Sequence, residues 1–468
     1  NDKQRKGSAM NEKRNSVHGE WSSGLVFILA ATGSAVGLGN LWRFPYLVGE
    51  NGGSAFVILY LACILLVGLP IIIAEVTLGR KGRRSPINSL RLVAREEGLS
   101  EKWALVGWMG VLAGFLILSF YSVVGGWSLY YGYEALIGGF SGMTSESAEG
   151  MFNGLVGSAS AVLFWHTVFM LIIFGIVAAG VKKGLQRAVT LLMPLLFVLL
   201  VGLVIYGMTT EGFGDAMAFL ATPDFGAIDG DTVLAALGQA FFTLSLGMGA
   251  IMVYGAYLPQ ENSIPVSTGW IVGMDTLTAL LAGFAIFPIV FTVGLEPGEG
   301  PGLVFQTLPI VFGEITLGMP LGIVFFVLLS VAAITSGMSL LEPAVAYLSE
   351  TFGGNRVRSA LVVSVLIWLL GAACGLSMNA WSSFTIFGMG IFGALEYVSS
   401  NIMLPLGGLF VALFVGWKMR TVTVANELDT HDHHNLFVLW LWVTRVIAPA
   451  AVLFIFLNAT GLLGMLGG

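Results

Sequence analysis

Five residues carry the chemistry that the sequence makes available at membrane depth: Asn40 and Arg43 in 33-GSAVGLGNLWRFPYLVGENGG-53, Thr243 and Ser245 in 239-QAFFTLSLGMGA-250, and Asp275 in 269-GWIVGMDTLTALLAGF-284. Arg43 apart, they offer oxygen, and together with backbone carbonyls they form the hard donor set that an alkali cation requires; thiolate and imidazole would instead suggest a transition metal. The glycines of the first two stretches add a second chemistry. Where a spanning helix unwinds, one half presents free N–H groups, which favour a carboxylate, and the other presents free carbonyls, which favour a small cation. Lipid offers no hydrogen bonds, so such a break must be completed by a ligand or a neighbouring segment. A site with both ends suits a zwitterion travelling with sodium. Asp275 has no basic neighbour in sequence, and a cation ligand accounts for it better than a structural hydrogen bond.

These residues sit in a chain of 468 residues that is 56% hydrophobic and only 10% charged, with a mean hydropathy of +0.88. That composition belongs to a polytopic membrane protein. At ~20 apolar residues per crossing, the sequence predicts eleven spans, at 24–47, 54–79, 103–137, 161–180, 185–209, 232–257, 266–293, 318–348, 358–376, 396–417 and 436–460. Nineteen of the 21 Lys and Arg fall in the N-terminal tail and in 79–102, 182–187, 356–358 and 418–420, whereas 138–160, 210–231, 294–317 and 377–395 hold none. This alternation predicts a multi-pass protein of the cell membrane with a cytoplasmic N-terminus and an extracellular C-terminus. The polar, basic first twenty residues do not read as a cleavable signal, and residues 1–9, which precede Met10, are set aside from fold reasoning. The net charge of −6 is no nucleic-acid signature, so the lipid bilayer is the expected macroscopic partner. Cys63 and Cys374 stand singly in apolar runs and read as packing residues; 431-HDHH-434 reads as a solvated loop rather than a metal site.

The two glycine breaks lie five spans apart, the expected sign of a five-helix unit repeated in inverted topology with the substrate site between the breaks. Helix packing through small residues is the alternative. The expected organisation is a tail at 1–20, a first repeat at 21–210, a second, inverted repeat at 231–418 and an extra helix at 436–462. The fold class is thus an all-α polytopic membrane protein of eleven transmembrane helices, with unwound first and sixth helices in two inverted five-helix repeats plus one helix. A channel would accept the same cation ligands but needs no two broken helices in inverted halves, and an intramembrane enzyme would need a nucleophile with a base, whereas His166 stands alone. Arg445, inside the last span, needs a neighbouring helix or a snorkelling path. Gly184 and Pro194 weaken the cytoplasmic end of span five, which makes it either a hinge or a simple packing kink.

The stretches GSAVGLGNLWRFPYLVGENGG, QAFFTLSLGMGA and 335-TSGMSLLEP-343 resemble the first, sixth and eighth helix signatures of the neurotransmitter:sodium symporter family, in its bacterial amino-acid branch, and the resemblance covers almost the whole chain. It implies a transporter rather than an enzyme: a symporter that imports neutral hydrophobic L-amino acids, aliphatic and aromatic, by alternating access, with two sodium ions as coupling ions and no other cofactor. It implies a first sodium site from the Ala35 carbonyl, Asn40, Thr243, Asp275 and the substrate carboxylate. A second would use backbone oxygens of Gly33, Val36 and Ala332 with the hydroxyls of Thr335 and Ser336. The substrate carboxylate would meet the amides around Ala35, Gly37, Leu38 and Gly39 and the Tyr121 hydroxyl, and its ammonium the carbonyls near Phe242, Thr243 and Ser245. Ile117, Met248, Ser336 and Leu340 would line the side-chain pocket under a Phe242 lid, the flexible Met248 thioether suiting varied shapes. Animal members have Asn where Asp275 stands and need chloride nearby, so the fixed carboxylate implies chloride independence. Arg43 and Glu396 resemble the outer ion-pair gate, and Trp21 and Glu350 the inner plug and its acidic partner. The basic residue expected just before Trp21 aligns with His18, with Arg14 as the substitute. Glu75 resembles a structural carboxylate. Most relatives have a twelfth helix, so no interface through it is implied, and the oligomeric state stays open, a monomer included.

Overall fold

The computed structural model describes residues 14–294, 302–429 and 434–459. Helices α1 (Gly24–Ala35) and α2 (Gly39–Glu50) meet at a 52° bend. They lead into α3 (Ser54–Gly82), α4 (Pro86–Glu96), α5 (Glu101–Ile137), α6 (Ser145–Gly157), α7 (Ala159–Ala178), α8 (Val181–Gly207) and α9 (Phe213–Ala221). The second half runs through α10 (Gly230–Thr243), α11 (Ala250–Ala256), α12 (Ile264–Thr292), α13 (Leu303–Glu314), α14 (Gly318–Thr351), α15 (Arg356–Leu376), α16 (Ile391–Lys418), α17 (Thr421–Leu428) and α18 (His434–Asn458). Among the described residues, nine helices are long and apolar enough to cross a membrane, and the bent α1–α2 pair makes a tenth. The remaining predicted crossing, 232–257, is α10 and α11, parted by residues 244–249.

Apolar runs without interior turn signals dictate the long helices, and polar side chains start them: the Ser23 hydroxyl accepts from the Val26 N–H, and Asp229 from the Thr232 N–H, each capping a free donor of its helix. Helices α5 and α14 pack most extensively on one another and are joined by α7 and α15; α3 lies along α11. Apolar side chains such as Leu191 and Val198 on α8 and Leu361 and Leu369 on α15 are exposed, as surfaces that face hydrocarbon require.

Several segments read as plain connections contain helices of their own: α4, α6, α9, α13 and α17. Their local signals are short-range, like the reciprocal Thr144–Ser147 cap that starts α6. The weakened inner end of span five is wound in this conformation. Val181–Gln186 forms a π-helical turn and the α-helix continues through Pro194 to Gly207. Gly184 serves a close approach there, since a β-carbon would fall 1.9 Å from the Ile176 carbonyl oxygen. The tail at 1–13, part of 431-HDHH-434 and the end of 436–462 lie outside the described residues.

Arg445 is satisfied by the neighbouring helix α16: its Nε donates to the Gly416 carbonyl oxygen (2.5 Å), and its guanidinium lies over the Trp417 ring (5.8 Å). His166 is not alone, since its Nε2 bonds the Trp368 carbonyl oxygen (3.2 Å). The α3–α11 contact is a backbone contact, and a β-carbon on Gly79 would sit 1.9 Å from the Met252 carbonyl oxygen. Gly79→Val is expected to destabilise the folded protein by roughly 1–3 kcal/mol, as overpacking does, and a thermal melt of the purified protein in detergent should show a midpoint several degrees lower, whereas Gly154→Val, in open space, leaves it in place.

Candidate functional site

The site forms where the two breaks face each other. Residue Val36 turns out of the helix (φ −70°, ψ 105°), so α1 ends and its last carbonyls are freed. In the second break, Ser245, Gly247 and Gly249 all have positive φ. Gly247 is required twice over: φ is +77°, and a β-carbon would stand 2.3 Å from the Leu404 carbonyl oxygen. Each break completes the other or is completed by a buried side chain. The Ser245 hydroxyl donates to the Ser34 carbonyl (2.9 Å), and the Gln239 amide to the Gly39 carbonyl (2.8 Å). Buried Glu75 accepts the Gly247 N–H (2.7 Å), the structural part expected of it.

Between the breaks lies a narrow pocket. Its walls include eleven of the twelve residues expected around a substrate: Ala35, Gly37, Leu38 and Gly39 at the first break, Ile117 and Tyr121 on α5, Phe242, Ser245 and Met248 at the second break, and Ser336 and Leu340 on α14. The twelfth, Thr243, faces Asp275 instead, and Ser34, which the sequence did not single out, completes the wall. Among the described residues, no charged side chain lines the pocket. The buried Tyr121 hydroxyl faces Ser336 and the Leu38 backbone but, among the described residues, closes no hydrogen bond within 3.5 Å.

Asp275, Asn40 and Thr243, from three helices, are fully buried together. The Asn40 amide donates to an Asp275 carboxylate oxygen (2.8 Å) and to its backbone carbonyl (3.1 Å), while its own oxygen accepts the Gly37 N–H (3.1 Å). The Thr243 hydroxyl lies 3.1 and 3.0 Å from the two Asp275 oxygens. A second oxygen cluster forms around Ser336, whose hydroxyl is 3.4, 3.2 and 3.2 Å from the carbonyl oxygens of Gly33, Ser34 and Val36. Thr335 is near Gly33 but turns its hydroxyl to the Val331 and Ala332 carbonyls of its own helix (3.1 and 3.0 Å). Met193, the neighbour of Pro194, presses on Gly33: a β-carbon there would meet its sulfur at 2.9 Å.

The two ends of the site differ. At the outer end the expected Arg43–Glu396 ion pair is absent from the described ion pairs; Arg43 instead rests over the Phe242 ring, 5.0 Å from its centre, and Glu396 is exposed. Glu396 still feels the Arg43 charge from across the mouth without closing to an ion pair. The opposite end, expected to be the inner one, is sealed. Trp21 is 2% exposed, its indole N–H donates to the Tyr254 carbonyl (3.1 Å) and its backbone N–H to the Tyr257 carbonyl (3.0 Å). Glu350 accepts from His18 (2.9 Å), from the Ser85 N–H and hydroxyl (2.6 and 2.7 Å) and from Asn88 (2.5 Å). Arg14 does not stand in for His18, because it pairs with Glu96. Sequence reasoning missed a further buried group: Glu342, paired with Arg356 and accepting the Tyr257 hydroxyl (2.6 Å). The signal was present, since a carboxylate just before Pro343 inside an apolar span demands a cation, yet Arg356 counted only toward topology.

The profile of the sodium:neurotransmitter symporter family matches residues 18–144 and 153–462. The chain belongs to that family. A sodium-dependent transporter of Bacillus subtilis, YhdH, is 37% identical over 446 residues, covering 95% of this chain and 98% of its own. The bovine sodium-dependent dopamine transporter is 23% identical over 492 residues, 93% of this chain and 68% of its own. Among solved structures, MhsT in complex with L-phenylalanine superposes with a TM-score of 0.86 at 45% identity, covering 94% of this symporter and 99% of that chain. The fold is therefore that of a multi-pass, sodium-dependent transporter.

Removing the inner plug should free the tail. Trp21→Ala is expected to speed tryptic cleavage after Arg14 by about tenfold, the effect of lowering a local opening by ~1.4 kcal/mol; mass spectrometry of timed digests reads it, with Trp270→Ala on the exposed face of α12 as the unchanged control.

Proposed function

We propose that this chain is a sodium-coupled symporter that imports neutral hydrophobic L-amino acids by alternating access, with two sodium ions per substrate and no need of chloride. The observation that carries the reading is the cavity between the two breaks, whose walls offer amides, carbonyls and hydroxyls at one end and uncharged side chains elsewhere. A zwitterion finds partners for both of its charges there, and a charged side chain finds none. The phenylalanine bound by MhsT is the same kind of molecule. The first sodium ion would lie among Asp275, Asn40, Thr243, the Ala35 carbonyl and the substrate carboxylate. The second would take the carbonyls of Gly33, Val36 and Ala332 with Thr335 and Ser336, whose hydroxyls must then turn their lone pairs to the ion. Each sodium ion crossing ~100 mV down a tenfold gradient contributes about 2.3 plus 1.4 kcal/mol, so two ions sustain ~10⁵-fold accumulation of a neutral substrate. The charge bias of the basic segments supports a cytoplasmic position for the sealed end, with Trp21, His18 and Glu350.

Uptake of radiolabelled leucine and tryptophan into proteoliposomes tests the whole reading. An inward sodium gradient should drive accumulation of both, replacement of chloride by gluconate should leave the rate unchanged, and Asp275→Asn should lower sodium affinity at least tenfold and make residual uptake respond to chloride. Accumulation without sodium, or an Asp275→Asn protein as active and as chloride-indifferent as the parent, overturns the assignment.

The path by which the second ion leaves is read from Met193 and Pro194. In Pro194→Ala the inner end of α8 regains a backbone hydrogen bond and becomes harder to unwind, so sodium release to the inside, followed by stopped-flow with a sodium-sensitive dye in proteoliposomes, should slow several-fold while sodium affinity measured from outside holds. Unchanged release would make Pro194 a packing kink.

A further inference from the structure

We propose that an inner-leaflet phospholipid with an anionic headgroup binds along the α5 end nearest the basic segments, with its phosphate at Lys102 and an acyl chain running past Met109 to Phe115. The inference rests on the membrane orientation proposed above and on nothing in the transport site. A cavity of about 790 Å³ opens beside Lys102 and Ser100 and is otherwise walled by apolar side chains, among them Trp103, Leu105 and Phe410. Met109 also borders a second cavity, of about 840 Å³, that continues along α5 to Leu112 and Phe115 against Leu348 of α14. From Lys102 to Phe115 the helix rises about 20 Å, somewhat more than the ~15 Å depth of one leaflet, half of the ~30 Å hydrocarbon core. One chain of a phospholipid therefore fits the path end to end.

Charge decides the headgroup. Every carboxylate near the mouth is already taken: Glu96 by Arg14, Glu97 by Arg420 (2.8 Å) and Glu101 by Arg95 (2.7 Å). Lys102 is exposed and, among the described residues, enters no ion pair, and it is the charged side chain in the groove's lining, placed to meet a phosphate. With those pairs neutralised, Lys102 leaves a net positive charge at the mouth, which a net anionic lipid feels and a zwitterionic one largely does not. Trp103 next to it supplies the amphipathic ring that settles at headgroup depth, and its contact with Phe414 (5.0 Å) fixes it to α16.

Native mass spectrometry of the delipidated full chain tests this, titrating phosphatidylglycerol and phosphatidylcholine of identical acyl chains, with glycerol 3-phosphate as a headgroup without a tail. Phosphatidylglycerol should bind at one site about fivefold more tightly than phosphatidylcholine, the worth of one basic residue near the surface, and glycerol 3-phosphate should not compete. Lys102→Gln should abolish the preference, whereas Lys182→Gln, equally exposed on another basic segment, should keep it. Equal affinity for the two lipids, a preference that survives Lys102→Gln, or displacement by glycerol 3-phosphate overturns the proposal.

Discussion

The constraint on which this structure depends is that a backbone polar group in hydrocarbon must have a partner. Two helices give up that partnership at the centre of the molecule, and everything around them supplies it back. Ser245 and Gln239 reach from the second break to carbonyls of the first, Ser336 gathers three more from α14, and Glu75 holds Gly247 from α3. Each of these hydrogen bonds has one end on an element that must move relative to another if the cavity is to open on alternate sides. The broken helices are tied into the protein by the same groups that line its cavity.

The rest of the architecture follows from holding those groups in register. The long pair α5 and α14 brings Tyr121 and Ile117 to face Ser336 and Leu340, and α12 brings Asp275 to Asn40 and Thr243. Around this dry centre many charged side chains stand in pairs at the periphery. Asp275 and Glu75, at the centre, have hydrogen-bond donors but no cation among the described residues. A carboxylate held by hydroxyl and amide donors alone keeps most of its field available to a mobile ion, which a fixed arginine would have cancelled.

How much of this was legible in the sequence depended on the range of the signal. Long apolar runs and the charge alternation are local and additive, so the spans and the family could be read directly. The two breaks were legible because glycine beside Asn, Thr or Ser in a spanning helix is costly unless used. The short helices α6, α9 and α13 were not, because their apolar faces are too brief for periodicity to register. Nor was the arrangement of the gates: that Arg43 settles on Phe242, that His18 rather than Arg14 meets Glu350, and that Glu342 captures Arg356 depend on geometry between helices far apart in the chain.

The inner seal has a thermal consequence. It is made by a piece of the N-terminal tail, and Trp21 and His18 hold that piece through a few hydrogen bonds and ring contacts to Tyr254, Tyr257 and Glu350. Letting the tail go gives back about 1–2 kcal/mol of chain entropy for each residue released, at the expense of the enthalpy of those contacts. If this end opens by releasing the tail, the opening exchanges order for disorder, and warming tilts it toward release. A balance between two faces of the transporter would then be set partly by temperature, through a segment that lies outside the central pocket.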